Sequence, residues 1–468
     1  MRPPLEPTGQ LPFVITHATS RTIESSQRKL IRSHVMRGKN RKKSRPSQPA
    51  SSSSSWTDQN GEPGRYHGSG YLPMKVGGEF SLMRFAAEMT PQTLDTIRKL
   101  RYEMFPIEFT QASEGNEASW FEPVWKDEAC LHLTLFTTNT LLAGLADSAE
   151  PGHHEHHYYY HRTAMMHFDA ALGILRQRLG SADRDMDDAT SDSTILLVVG
   201  LAMASTAVGD AQTAAQHVAG LKRLVDLRGG CGAFRGKRLL QSKMYRVDIE
   251  VALSTGRDPL LKSYTSWDPY IFPSQESASL VDHLNSNIKS YIDTLDPRLR
   301  NIWNDLFQFV RAANIAEQCN RSIDTDLYLD SMISIHYRLI NLGYENSAHE
   351  AFRLGLLVFA STLFLQWRNM KTRYEHLAQR FKRALMFQED VPIGIKLWLH
   401  IIGQVFIFND HEAQDSRSAL TDLLAQCQVN SWAKARNLMK DMLWVNFLHD
   451  GAAEQVLRDA LPAQIHTG

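Results

Sequence analysis

The stretch Thr194–Gly209 contains no charged residue, and it constrains the fold more than any other part of the chain. Small residues are scattered among its aliphatics, so a helix formed here has no water-seeking face and must be covered on most sides. Such a helix would measure about 24 Å, short of the roughly 30 Å hydrocarbon core of a bilayer, so the expected surroundings are protein and not membrane. The apolar stretch between Arg353 and Arg368 is likewise too short to span and is read as a second core helix.

The residues after the uncharged run define a hairpin. Asp210 comes directly after Gly209, where a short acidic side chain can accept backbone N–H bonds at a helix start. Ala214, Val218, Leu221 and Val225 then step by four, three and four residues, with Lys222, Arg223 and Asp226 between them. That spacing predicts one apolar stripe on an amphipathic helix. Gly220 lies on this helix without a side chain, which costs about 1 kcal/mol against alanine unless a neighbouring helix needs close approach. Arg228-Gly229-Gly230 reads as the stop, with a cation in the last turn and two residues free to take positive φ.

The same residues carry a resemblance. An apolar helix, Gly209-Asp210, then His217, Gly220-Leu221, Leu224-Val225 and Arg228-Gly229-Gly230 resemble the signature of the fungal-specific transcription factor domain, the helical region downstream of the zinc cluster in many fungal regulators. Residues 243–259 are similar to that family's helix after the glycine stop, with Asp248, Ala252, Gly256 and Pro259 in corresponding places. Residues 396–403 resemble its late tryptophan helix, and the segment from Phe13 to Lys43 resembles N-terminal segments of family members that lack a zinc cluster. The resemblance implies an all-helical regulatory body, a nuclear location and protein partners in transcription. Family members often control metabolic or secondary-metabolite genes. The family's zinc module needs six closely spaced cysteines, whereas Cys130, Cys231, Cys319 and Cys427 are each more than eighty residues apart. That module cannot be built here, and sequence-specific DNA reading does not follow.

Charge is balanced over the 468 residues, 51 basic against 51 acidic, but it is unevenly placed. Residues 1–67 hold twelve basic and four acidic residues, net +8; the other 401 hold 39 and 47, net −8. Within this arm, Ile23, Leu30, Ile31 and Val35 share a helical face, and Arg28, Lys29, Arg32, Arg37, Lys39, Arg41, Lys42, Lys43 and Arg45 supply a dense positive run. Runs of this kind serve as nuclear-import signals or as phosphate-binding arms giving weak, salt-sensitive, non-specific DNA contact. Residues 44–70, with the run Ser51–Ser55, read as a flexible linker. The scattered cysteines and the lack of an apolar leader predict reduced, intracellular thiols.

Chemistry-bearing motifs are sparse. His153, His157 and His161 recur every four residues, a spacing that on a helix can hold zinc or copper, but Tyr158 stands where a zincin motif begun at His154-Glu155 needs its second histidine. The adopted reading is a histidine-rich loop leading into a core helix over 158–179, with Ala164, Phe168, Leu172 and Leu175 inward and no metal. No phosphate-binding glycine loop, dinucleotide fingerprint or nucleophile elbow is present, so neither a catalytic residue nor a cofactor is assigned. The expectation is an all-α chain: antiparallel helices over 71–468 behind the basic arm and linker of 1–70. Its function is expected to be nuclear regulation of transcription, with no enzyme activity. The alternative is a helical scaffold or adaptor that binds a partner or small ligand in the cytoplasm and never touches DNA.

Overall fold

The computed structural model describes residues 84–87, 89–100, 117–147, 154–181, 185–261, 285–345, 347–366, 372–386 and 390–461, and every regular element among them is helical. The positive run from Arg28 to Arg45, the linker and His153 lie outside the described residues. Helix α1 (Pro91–Lys99) begins as its sequence requires: the Thr90 hydroxyl accepts from the Thr93 N–H at 3.2 Å, and Pro91 supplies a fixed φ in the first turn. After α2 (Glu117–Lys126), helices α3 (Glu128–Asp147) and α4 (His154–Gly180) make a long hairpin. Asp127 pairs with Arg178 at 2.8 Å while His132 meets His167, so the two run antiparallel.

A one-turn helix, α5 (Met186–Ala189), leads into α6 (Asp192–Ala207), the uncharged helix. Gly209 takes φ +80°, Asp210 accepts from the Thr213 N–H at 3.0 Å, and α7 (Ala211–Leu227) folds back along α6. A 3₁₀ turn (Cys231–Phe234) then hands the chain to α8 (Arg238–Thr255), which packs on α6 and α7. Ile195, Leu197 and Val199 of α6 are fully buried, as are Ala214, Val218, Leu221 and Val225 of α7. With α5 in front of it, α6 is long and apolar enough to cross a membrane by length and composition, but most of this stretch is covered by other helices.

The remainder is α9 (Ser286–Thr294), α10 (Pro297–Gln318), α11 (Thr325–Ile340), α12 (Ser347–Phe364), α13 (Glu375–Ala384), α14 (Ile393–Ile402), α15 (Asp410–Gln426), α16 (Trp432–Lys440) and α17 (Asn446–Ala460). Helices α11 and α12 are antiparallel, since the Tyr328 hydroxyl donates to the Leu363 carbonyl while Arg353 donates to the Leu339 carbonyl. Where α12 crosses α14, Gly355 leaves room for Leu399; a Cβ there would drive into that side chain. Trp398 of α14 is fully buried and donates its indole N–H to the Leu443 carbonyl at 3.0 Å. A π turn (Gly403–Ile407) ends α14. One large core runs from α3 to α17, and a smaller one gathers Ile97, Leu100, Val124, Trp125 and Leu131.

Several boundaries differ from the expectation, each for a local reason. The acidic segment 180–193 is not all loop, because Asp185 and Ser191 each cap a helix. Helical periodicity in the sequence runs through 281–317, but the described helix breaks at Leu295-Asp296, where Asp296 caps a new helix that Pro297 opens. The stretch 432–448 breaks after Lys440 and restarts at Asn446. The sequence pattern is helical over 391–409 and 432–448 and marks no helix between them, where α15 lies, since Leu420, Leu423 and Leu424 are buried only near its end; its capping box, Asn409 with Glu412, was the legible signal. At Gly220 the structure decides the condition left open by the sequence. A Cβ at this half-buried position would meet nothing within 4 Å, so no close approach requires the glycine.

The contrast between Leu221 and Gly220 is measurable. Leu221→Asp places an unpaired carboxylate in the α6–α7–α8 core at a cost of several kcal/mol, about enough to abolish soluble folding, whereas Gly220→Ala raises stability by about 1 kcal/mol. Thermal melting of both variants checks this; unchanged melting of Leu221→Asp would put the inward face elsewhere.

Acid acts on a different set of core residues. His336, His400 and His449 are buried, and burial lowers them to about 4, 4 and 3 respectively. They are neutral in the fold, while in the unfolded chain they protonate below an ordinary value near 6.5. Their contribution is therefore full above pH 6.5 and is lost as pH falls toward 4 and 3, by about 2 kcal/mol per histidine at pH 5. Urea midpoints at pH 7 and pH 5 measure it, and equal midpoints would contradict it.

Candidate functional site

Of the motif residues, Arg228 does the most outside its own helix. It caps the C-terminus of α7, but its side chain turns back to the start of α6, where Nη1 donates to Asp192 Oδ1 at 2.6 Å and to the Thr190 carbonyl at 3.1 Å. The guanidinium also lies 4.5 Å from the ring centroid of Phe234, a fully buried residue of the 3₁₀ turn. Lys237 completes the cluster through its 2.6 Å ion pair with the other oxygen of Asp192. Burial pushes the Asp192 carboxyl up, but Lys237 and Arg228 outweigh it and hold the group below its usual value.

The glycines make this turn possible. Gly229 and Gly230 take φ +92° and +84°, values that disfavour any residue with a Cβ. The Gly229 N–H donates to the Asp226 carbonyl and the Gly230 N–H to the Val225 carbonyl, which satisfies carbonyls that the helix end leaves open. Beside the turn lies a niche of about 600 Å³, lined by Met186, Thr190, Ser193 and Leu227 as well as the charged trio. Its cations are already answered by Asp192, so the niche reads as a closed ion cluster. The half-buried His217 sits about three turns back along α7, with burial lowering its value and Asp210 opposing the shift.

The structure thus brings Arg228, Gly229 and Gly230 together with Asp192, and leaves Gly209 and Asp210 at the opposite end of the hairpin. Sequence reasoning did not assign Asp192 or Lys237 to the Arg228 cluster. The signal for Asp192 was its position directly after a serine cap, which places its carboxylate in the first turn at the positive end of the α6 dipole.

Helix α8 holds a second polar cluster, and this one is buried. Asp248 accepts from the Leu260 and Leu261 N–H groups at 2.7 and 2.9 Å and from the Tyr337 hydroxyl at 2.6 Å. Burial raises its carboxyl; the three donors only partly offset this. Nearby on the same helix, Arg246 pairs with Glu250 at 3.0 Å and donates to the Leu365 carbonyl, tying α8 to the end of α12. On α10 and α11, fully buried Arg338 pairs with Asp305 at 2.5 Å. These groups fasten helices to one another and expose no reactive atom.

The described part of the histidine-rich stretch is helical. His157 falls within α4, and His161 is exposed on it, so the stretch belongs to the helix and not to a loop from His154 onward. Among the described residues no three of His, Cys, Asp or Glu gather closely enough to hold a metal. His132 and His167, facing each other across α3 and α4 with Nδ1 atoms 2.8 Å apart, share one hydrogen bond, and burial lowers His167 to about 4. Burial also raises the Cys130 thiol, which removes thiolate character at neutral pH. Comparison with known protein families, with curated proteins and with solved structures finds no match.

The Arg228 clasp generates a measurable coupling. Arg228→Ala leaves the Thr190 carbonyl and half of Asp192 unanswered, and is expected to lower stability by about 1–2 kcal/mol. Asp192→Asn in the Arg228→Ala background should then cost less than it does alone. Additive losses in a double-mutant cycle would show that the two groups do not act together.

Proposed function

We propose that this chain is a nuclear regulator of transcription whose helical body is a regulatory and interaction module, without a zinc cluster and without enzyme activity. The observation that carries the reading is the resemblance of residues 209–230 to the fungal-specific transcription factor domain. Three features of the hairpin are what a shared fold would demand of those residues. Gly209 and the two glycines of the stop have positive φ, Asp210 is a helix cap, and Leu221 is buried completely. The charge asymmetry supports the same reading. The basic arm carries the import signal and a salt-sensitive grip on phosphate, while the acidic body repels DNA and meets protein partners in transcription. Regulation of secondary metabolism is the biological setting that the resemblance suggests.

The test is localisation followed by binding. A fluorescent fusion should accumulate in the nucleus of a fungal cell, and replacing Arg41, Lys42, Lys43 and Arg45 by alanine should disperse it. Gel-shift titration of the whole chain should show DNA binding that weakens steeply with salt and disappears when residues 1–45 are removed. Uniform cytoplasmic signal from the unmutated fusion, with no DNA binding even at low salt, would favour an adaptor that does not touch DNA.

A further inference from the structure

Between α9, the start of α14 and the end of α16 lies a cleft of about 770 Å³, within the size range of small-molecule sites and remote in sequence from the Arg228 motif. Its walls divide by chemistry. Ile288, Tyr291, Val391, Pro392 and Leu438 supply an apolar floor, of which Ile288, Tyr291 and Val391 are buried. Asn287, Ser290 and Thr294 line it from α9 with amide and hydroxyl groups. The carboxylates are Asp441 and, exposed at the rim, Asp390; His349 also lines the cleft, against the Tyr291 ring, and neither lysine nor arginine does.

Asp441 sets the electrostatics. It caps the C-terminus of α16, where the partial charge of the helix is already negative, and it is half-buried. Among the described residues its carboxylate has neither an ion-pair partner nor a hydrogen-bond donor, and burial alone raises its value. Elsewhere in the body, half-buried carboxylates are answered: Asp127 by Arg178, Asp450 by Arg436 and Trp444, Glu412 by Arg373. An unanswered carboxylate in a concave site with low-dielectric walls focuses negative potential into that concavity. The Tyr291 ring in the cleft wall is fixed by its hydroxyl, which donates to the Ala348 carbonyl at 3.2 Å, and by edge contact with Phe352.

We propose that this cleft is a binding site for a small organic amine, whose ammonium group meets Asp441, with Asp390 adding negative charge at the exposed rim, while its aromatic or aliphatic body lies on Tyr291, Ile288 and Leu438. The amide and hydroxyl groups of α9 hydrogen-bond polar substituents on the ligand and favour an amine that carries them. A simple anion finds neither lysine nor arginine here, and a neutral apolar molecule leaves the carboxylates unpaired. This proposal does not depend on the reading of the chain as a transcription regulator: it is tested on purified protein, whereas that reading is tested in cells and with DNA.

The experiment uses the full chain, calorimetric titration at pH 7 and low salt, and three probes that share an indole ring. Tryptamine carries the cation, tryptophol replaces the amine by a hydroxyl, and indole-3-propionate carries an anion. Tryptamine is expected to bind at least tenfold more tightly than tryptophol, and indole-3-propionate not at all. Asp441→Asn should weaken tryptamine about tenfold and leave tryptophol unchanged, with Asp390→Asn having the same sense. Asp422→Asn, a substitution on α15 outside the cleft, should change neither probe. Circular dichroism melts of each variant confirm that the fold is kept. The proposal is overturned by absence of tryptamine binding, by equal affinity for tryptamine and tryptophol, or by tryptamine affinity that survives Asp441→Asn.

Discussion

The structure depends on one constraint, that α8 is surrounded on every side and is nevertheless charged. Every residue from Met244 to Leu253 is buried, including Arg246, Asp248 and Glu250. Removing such groups from water is costly unless each finds a partner, so the neighbours of α8 must present specific atoms at specific places and not merely apolar surface. Arg246 takes the Leu365 carbonyl and Glu250; Asp248 takes two backbone N–H groups after the helix and the hydroxyl of Tyr337. These bonds fix where α11, the end of α12 and the chain past Gly256 lie relative to α8. Apolar burial supplies most of the driving force, and the polar partners select one arrangement from the many that would bury similar area.

The range of each interaction decided how much of this was legible in the sequence. The α6–α7 hairpin was legible because its determinants are local: an uncharged run, a glycine before an aspartate, apolar residues four and three apart, and a glycine pair at the end. Each acts within a turn or two of itself. The partners of Asp248 were not legible, since Tyr337 is 89 residues away and nothing near either residue marks the pairing. Arg338 illustrates the same limit. It follows Tyr337 in an otherwise regular helix and reads as a solvent-facing cation, yet it is completely buried against Asp305. Helix α15 was missed for the opposite reason, because its first turns are polar and only its cap announces it. The cleft between α9, α14 and α16 draws its lining from residues 285 to 441 and could not be assembled from spacing at all.

The motif that carries the family resemblance turns out to consist of residues with architectural duties. Gly209, Asp210, Leu221, Gly229 and Gly230 shape and seat a hairpin, and Arg228 anchors its end. Gly220 is the exception, as the structure assigns it no packing duty. A pattern of this kind is a marker of how a chain folds. A marker of folding does not by itself say what the protein does, which depends on surfaces where side chains are free to meet something else.

The Arg228–Asp192 pair has a consequence for the register of α6 against α7. The two residues are 36 positions apart, and the bend at Gly209 lies between them, so a closed loop of modest length contains both α6 and α7 and is sealed at its open end by charge. Sliding one helix past the other by a single turn, about 5.4 Å, would separate the seal and expose the apolar stripe at once. The seal and the stripe therefore specify the same register, and both lie within a segment short enough for its closure to cost little entropy.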